Sequence, residues 1–155
     1  MARAERGQAL LEFAIALPVI ILVMVMIAEF GWFVAQSSAV IHASREGARY
    51  GSAVDPATKP YLDCPGMRQA ARKSAQIVTD LPDSRITIRY LRNGASYSTC
   101  TPADSTVCRY DQIEVTVQYP YQAMTPLGSM FLGNRTLQSV DRRTITKDPT
   151  GTTGC

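Results

Sequence analysis

The sequence predicts an α+β protein in which one long apolar helix precedes a small head, built from one helix packed on an antiparallel sheet of about three strands. Three observations predict this class: an apolar run at residues 13–28, a helical stripe that continues to residue 50, and short alternating segments further on. A chain of 155 residues with 46% hydrophobic content fits one membrane segment and one domain of roughly a hundred residues. The predicted parts are a leader at residues 1–7, a helix at residues 8–51 and a head at residues 52–155.

The apolar run is predicted to cross a membrane, with the rest of its helix projecting beyond the lipid. Residues 13–50 as one helix would be roughly 57 Å long, whereas a bilayer core is about 30 Å thick. Pro18 lies inside the run and removes the hydrogen bond to the carbonyl of Ala14, which predicts a kink. Arg3 and Arg6 precede the run, so the amino terminus is expected to stay cytoplasmic while the rest is exported.

The start of the helix holds an acidic residue in an apolar setting. Glu12 lies within the apolar periodicity, where a charge near the bilayer centre costs on the order of 2.5 to 3.5 kcal/mol. A peptidase cutting after Gly7 would make Gln8 the new amino terminus, and its α-amine would be largely cationic at neutral pH. In a bundle of such helices, this amine could pair with Glu12 of a neighbour. The alternative is a cleavable secretory signal, for which Ala35-Gln36-Ser37 is the tolerable cleavage site.

Small residues recur along the projecting half of the helix. Ala43, Gly47 and Gly51 follow one another at intervals of four, the spacing that lets another helix or a strand approach closely. The alternative is that this half packs on its own head, with Gly51 ending the helix. Both interpretations can hold on different faces.

The head is predicted from capping and alternation. A second helix at residues 64–80 is capped by Asp63, with Pro65 in its first turn. Residues 84–92 and 111–119 alternate and are predicted to pair antiparallel, with an Asn93-Gly94 turn and a polar segment at 94–109 between them. Residues 121–134 are predicted to form an apolar loop or short helical turns, and residues 135–146 a third strand.

The four cysteines lie after the long helix, where export would permit disulfides: Cys64, Cys100, Cys108 and Cys155. The predicted pairing is Cys100 with Cys108 and Cys64 with Cys155, one of three possible pairings. Zinc is the alternative, but the sequence has no C-x-x-C pair, and the only histidine, His42, lies on the long helix. No metal site and no cofactor is predicted.

Composition and motifs argue against nucleic-acid binding and catalysis. The net charge is only +3, with no basic run. The sequence has no phosphate-binding glycine loop and no nucleophile elbow, and one histidine on a membrane-proximal helix offers no base for a triad. The protein is therefore expected not to be an enzyme. An exported hydrolase with an unusual acid site and an anchored binding module remain as alternatives.

The N-terminal residues resemble a known family. Gly7 followed by QALLEF resembles the processing site of type IV pilin-like proteins. The continuation is similar to TadE-like minor pilins of tight-adherence (Flp) pilus machines, and it comprises Ala16-Leu17-Pro18, Glu29-Phe30-Gly31 and the motif REGARY at residues 45–50. The resemblance is dense over about the first fifty residues and is one of architecture after that.

The resemblance implies a structural role. It implies a pilin-like helix and a subunit for pilus assembly, priming or adhesion, processed by a prepilin peptidase between Gly7 and Gln8. Its partners would be other pilin subunits through the N-terminal helix, the inner-membrane assembly platform and membrane lipid. The precursor would lie in the inner membrane, and the mature protein in the pilus or at the cell exterior.

Overall fold

A computed structural model describes residues 2–53, 60–78, 80–100, 107–108, 110–133 and 135–146, with side chains from Gln8 onward. Helix α1 (Ala2–Ser52) is followed by a head with the order α2 (Cys64–Ser74), β1 (Ile86–Arg92), β2 (Ala95–Thr99), β3 (Gln112–Pro120), α3 (Pro126–Leu132) and β4 (Thr136–Thr144). The predicted α+β class, with a long apolar helix before the head, is confirmed.

Helix α1 divides into an exposed half and a packed half. The helix continues through Pro18 without a break, so the bend there stays a prediction. The side chains of residues 8–24 and 26–28 are exposed, and Val25 is half-buried. Glu29 is the first of the described α1 side chains to be buried. The head therefore packs on the second half of the helix only, as predicted.

Helix α2 begins as predicted and ends earlier. The side chain of Asp63 accepts a hydrogen bond of 2.9 Å from the Gly66 N–H and caps the helix. The predicted end at residue 80 is wrong, because the helix ends at Ser74. The Ala75 N–H donates to the Arg72 carbonyl at 3.1 Å, which closes the last turn. The chain then turns and brings Val78 into the core.

In the described part of the chain, four strands form one antiparallel sheet in the order β2-β1-β3-β4. The predicted pairing of the first and second alternating segments is confirmed, with Ile88 opposite Val115. The prediction missed β2, which lies in the segment expected to be a polar connection. Asn93 and Gly94 have φ values of 52° and 81°, as a tight hairpin turn requires, and they return the chain alongside β1.

The core lies between the inner face of the sheet and the two longer helices. Strand β3 crosses its centre, and its inward side chains are fully buried. Small side chains of α1 and α2 cover this strand, and the buried set includes Val40, Ala43, Met67, Ala71, Ile86, Ile88, Tyr90, Ile113, Val115 and Val117. The outer face of the sheet is polar.

The predicted disulfide pairing is wrong. Cys64 is bonded to Cys100, with 5.8 Å between their Cα atoms. The hairpin that the prediction missed explains the error: it carries Cys100 to the far side of β1, whereas Cys108 precedes β3 on the other side. Cys108 is also disulfide-bonded. Cys155, the residue predicted to pair with Cys64, lies outside the described residues.

Candidate functional site

The exposed half of α1 is an apolar surface without cover from the head. Large side chains along it are open to their surroundings: Leu10 is 71% exposed, Phe13 58% and Ile27 67%. In the described part of the chain, the segment Gln8–Ser52 is the one helix long and apolar enough to cross a membrane. Such a surface is stable only against lipid or other apolar helices.

The predicted processing and pairing residues lie together at the start of this surface. Gly7 and Gln8 are consecutive residues of α1, and Glu12 is one turn further on. The Gln8 side-chain amide donates a hydrogen bond of 3.2 Å to a Glu12 carboxylate oxygen, and both side chains are exposed. Glu12 is thus available to a group from outside its own chain.

The small residues Ala43, Gly47 and Gly51 face the protein's own head. A Cβ atom on Gly47 would lie 3.2 Å from Val115 Cγ1 and 3.3 Å from the Met67 carbonyl oxygen. A Cβ atom on Gly51 would overlap with Met67 Sδ and lie 3.0 Å from Ile113 Cδ1. These positions therefore let α2 and β3 approach the helix closely.

A buried carboxylate joins the helix to the head where the apolar half ends. Glu29 is only 3% exposed. One of its oxygens accepts hydrogen bonds from the Tyr121 hydroxyl and, at 3.1 Å, from the Met124 N–H. The other accepts from the Thr125 N–H at 3.1 Å and the Thr125 hydroxyl at 2.9 Å. These groups are all donors, so the ionised carboxylate is the form that fits this site.

Residues around Glu29 strengthen this joint, which we call the Glu29 joint and define by Glu29, Gln36, Tyr121, Gln122 and Thr125. The Gln36 amide pairs with both backbone groups of Gln122, donating to its carbonyl at 2.7 Å and accepting from its N–H at 3.2 Å. The Gln36 side chain thereby gives the backbone of Gln122, which lies beyond the end of β3, the two hydrogen bonds that a neighbouring strand would otherwise supply. Burial and the hydrogen bond to Glu29 raise the pKa of Tyr121 to about 12, so its phenol remains a donor at physiological pH.

Sequence reasoning missed the Glu29 joint. In the sequence, a carboxylate close to Trp32 at the end of an apolar run indicates no more than a lipid boundary, because both residues fit the headgroup zone. The available signal was the run of uncharged residues at 121–134, whose backbone donors need acceptors from elsewhere. Trp32 also belongs to this region, since its indole N–H donates to the Gln122 carbonyl at 2.9 Å.

A second polar cluster lies at the opposite end of the sheet. Arg92 pairs with Asp111 through two hydrogen bonds of 2.9 and 2.8 Å, and the Tyr97 hydroxyl donates to Asp111 at 2.7 Å. Burial by itself raises the pKa of Asp111, but the hydrogen bonds from Arg92, the Cys108 N–H and Tyr97 outweigh it and hold the pKa below its ordinary value. The cluster ties the β1-β2 hairpin to the start of β3.

A concave surface lies on the outer face of the sheet. It forms an open depression of about 630 Å³ lined by Thr87, Arg89, Glu114, Thr116, Gln118, Gln138, Val140 and Arg142. An ion pair of 2.7 Å joins Arg142 to Glu114 across it. Among the described residues, no three His, Cys, Asp or Glu side chains are grouped so that they could hold a metal ion.

These features define a class of protein: a small α+β head that packs on the second half of a long helix. The first half of the helix, residues 8–28, is apolar and uncovered by the head, and we call it the rod. Comparison with protein families makes the class more specific. The model of the TadE-like protein family matches residues 7–49, which confirms the resemblance predicted for the N-terminal segment. The match covers the exposed rod and the α1 half of the Glu29 joint, and the head lies beyond it. Neither the curated proteins nor the solved structures contain a significant match to the chain.

Proposed function

We propose that the protein is a minor pilin-like structural subunit of a tight-adherence (Flp) pilus, cut after Gly7 by a prepilin peptidase. One observation carries the proposal: the described exposed side chains of the apolar rod begin at Gln8, directly after Gly7 in the sequence and one turn before Glu12, inside the segment that matches the TadE-like family. As a precursor, the chain lies in the inner membrane with a cytoplasmic amino terminus and an exported head. As a subunit, it packs the same rod against the helices of other pilin subunits.

Charge pairing gives the first residues of the rod their role. Cleavage would place a cationic α-amine on Gln8, whose side chain already reaches Glu12 in the precursor. In a bundle of rods, the amine of one subunit then pairs with Glu12 of its neighbour. Neither charge is left alone in an apolar environment, where an unpaired charge is strongly unfavourable.

We assign the head a structural role in assembly, priming or adhesion, in contact with the inner-membrane assembly platform and other subunits. Buried polar side chains of α1 support this role because they join the helix to the head. Glu29 and Gln36 bind the segment after β3, and the Ser44 hydroxyl lies 2.8 Å from the Ser139 hydroxyl of β4. A rigid joint of this kind fixes how the head is displayed relative to the rod.

Sequencing of the mature amino terminus tests the processing step. The wild-type protein should start at Gln8. Gly7→Val should leave an uncut precursor, because a side chain before the scissile bond obstructs the close approach of the peptidase. Gly31→Val is the matched control, since a Cβ atom there meets nothing within 4 Å, and it should be processed normally. A wild-type protein that keeps its first seven residues would contradict the proposal.

Glu12→Gln tests the charge pairing separately. Cleavage should persist while co-purification with pili falls, because the amide keeps the shape but not the charge. Glu46→Gln is the control: Glu46 pairs with Arg49 on the helix surface, and such exposed pairs contribute little. Normal incorporation of Glu12→Gln would eliminate the pairing mechanism while leaving the processing step intact.

A further inference from the structure

The segment between β3 and β4 exposes several large apolar side chains. Residues 121–134 contain no charged residue. Met124 is 63% exposed, and on α3 Leu127 is 42%, Met130 81% and Phe131 65% exposed. Leu127, Met130 and Phe131 follow the spacing of one helix face, so α3 presents a continuous apolar surface.

This surface lies at the end of the head nearest the apolar rod. Strand β3 runs back along α1, because Ile113 lies beside Gly51 and Val115 beside Gly47. Further along, Gln122 reaches Gln36 and Thr125 reaches Glu29. The segment therefore returns the chain to the level of the last apolar turn of the rod before β4 leads it away again.

Helix α3 is held at that level. Thr125 both donates to Glu29 and accepts the Gly128 N–H at 3.0 Å, so the cap of α3 and the Glu29 joint share one side chain. Gly128 is buried against Glu29, where a Cβ atom would overlap with the Glu29 side chain. The apolar face is thus carried on an element fixed to α1.

The apolar surface of the rod extends past Glu29 to meet this level. Ile27 and Phe30, on either side of Glu29, are 67% and 66% exposed. Arg135 is exposed directly after the uncharged segment, as suits a cation at lipid phosphates. An apolar face beside the end of a membrane span, bordered by a cation, has the composition of an interfacial segment.

We infer that α3 lies in the headgroup region of the same bilayer that α1 crosses, with Met124, Leu127, Met130 and Phe131 in contact with lipid. The inference rests on the proposed membrane-anchored precursor and adds a second contact with lipid. With α1 as one attachment and α3 as another, the head is seated on the outer surface of the bilayer. When the subunit leaves the membrane and enters a pilus, the apolar face of α3 must then replace its contacts with lipid by contacts with protein.

Tryptophan quenching tests this inference on the full-length precursor. The chain has one tryptophan, so Trp32→Phe provides a background in which Phe131→Trp, Leu22→Trp and Tyr110→Trp each report one position. Tyr110 is 67% exposed and lies just before the start of β3, which is the end of the strand farther from the rod. The α1 residues from Glu29 to Gly51 separate this end from the rod by roughly 33 Å. The proteins are reconstituted in phosphatidylcholine vesicles, either plain or brominated near the headgroup end of the acyl chains.

In brominated vesicles, we expect the fluorescence of Phe131→Trp and Leu22→Trp to fall about twofold or more, since an interfacial helix lies within about 5–10 Å of the headgroup and acyl boundary. Tyr110→Trp should be unchanged. Quenching of Leu22→Trp without quenching of Phe131→Trp would overturn the inference, leave the membrane anchor intact and point to a protein partner for α3. Absence of quenching for Leu22→Trp would overturn the anchor and the inference together.

A second reporter guards against local disruption. Met130→Trp, at the large apolar side chain of α3 that is 81% exposed, should repeat the result of Phe131→Trp. Correct folding of each variant is checked by the Cys64–Cys100 disulfide in a non-reducing peptide map. If Phe131→Trp and Met130→Trp both fold correctly and the fluorescence of neither is quenched in brominated vesicles, the inference is overturned.

Discussion

Replacement of Glu29 by glutamine should weaken the attachment of the head to α1. Each carboxylate oxygen of Glu29 accepts one backbone N–H, from Met124 on one side and Thr125 on the other. The hydroxyls of Tyr121 and Thr125 can rotate to suit an amide, but a backbone N–H cannot. Either orientation of the glutamine amide therefore turns an NH₂ group towards one of the two N–H groups.

The magnitude follows from this geometry. One buried N–H without an acceptor costs about 1–3 kcal/mol, and the hydrogen bonds that persist lose the strengthening of a charged acceptor. The lower desolvation cost of a neutral amide offsets part of the loss. We expect Glu29→Gln to lower the free energy of unfolding of the head by about 2–4 kcal/mol.

The assay is urea unfolding of the full-length protein in detergent micelles, followed by Trp32 fluorescence, because Trp32 bonds to Gln122 within the joint region. Amide exchange at Met124 and Thr125 should accelerate in the variant. Glu12→Gln is the matched control, since its carboxylate is exposed and far from the head. An unfolding free energy of Glu29→Gln within about 0.5 kcal/mol of the wild type would refute the reasoning.

Three further predictions concern the other end of the head. Gly51→Val should destabilise the protein by about 1–3 kcal/mol in the same urea assay, because the added atoms overlap with the fully buried Met67; an unchanged midpoint would contradict this close packing. The pKa of Asp111 lies below its ordinary value, so its stabilising effect is present above about pH 4 and is lost as the pH falls through the lowered pKa. Asp111→Asn should remove this part of the acid dependence of the urea midpoint, and an identical acid dependence would count against it. Peptide mapping without reduction should recover Cys64 joined to Cys100, and any other partner for Cys64 would disprove the pairing.

Local signals in the sequence were sufficient for much of the fold. The cap at Asp63 was predictable because its acceptor and its donor are three residues apart. The pairing of β1 with β3 was predictable because both segments alternate, so that placing them side by side joins their apolar faces into one buried surface. The end of α2 and the strand β2 were missed. Residues 95–99 are mostly polar and all but one are exposed, so they carry no clear apolar alternation to indicate a strand.

The candidate site divides in the same way. The rod was predictable because hydrophobic length is a property of consecutive residues. The roles of Gly7, Gln8 and Glu12 stay predictions. The Glu29 joint was not predictable, because Glu29 and its partners are more than ninety residues apart.

The sequence by itself determined that this protein has an apolar rod, where the rod begins, and that an α+β head follows it. The tertiary structure decided which side chains of α1 bind the head, which cysteine joins Cys64, and what the small residues at 43, 47 and 51 pack against. The physical reason is the distance along the sequence over which each interaction acts. Helix periodicity, capping and hydrophobic length act between near neighbours, whereas a buried carboxylate or a disulfide depends on which distant segments the sheet order brings together. In the order β2-β1-β3-β4, Cys100 lies beside α2 and the start of α3 lies beside Glu29.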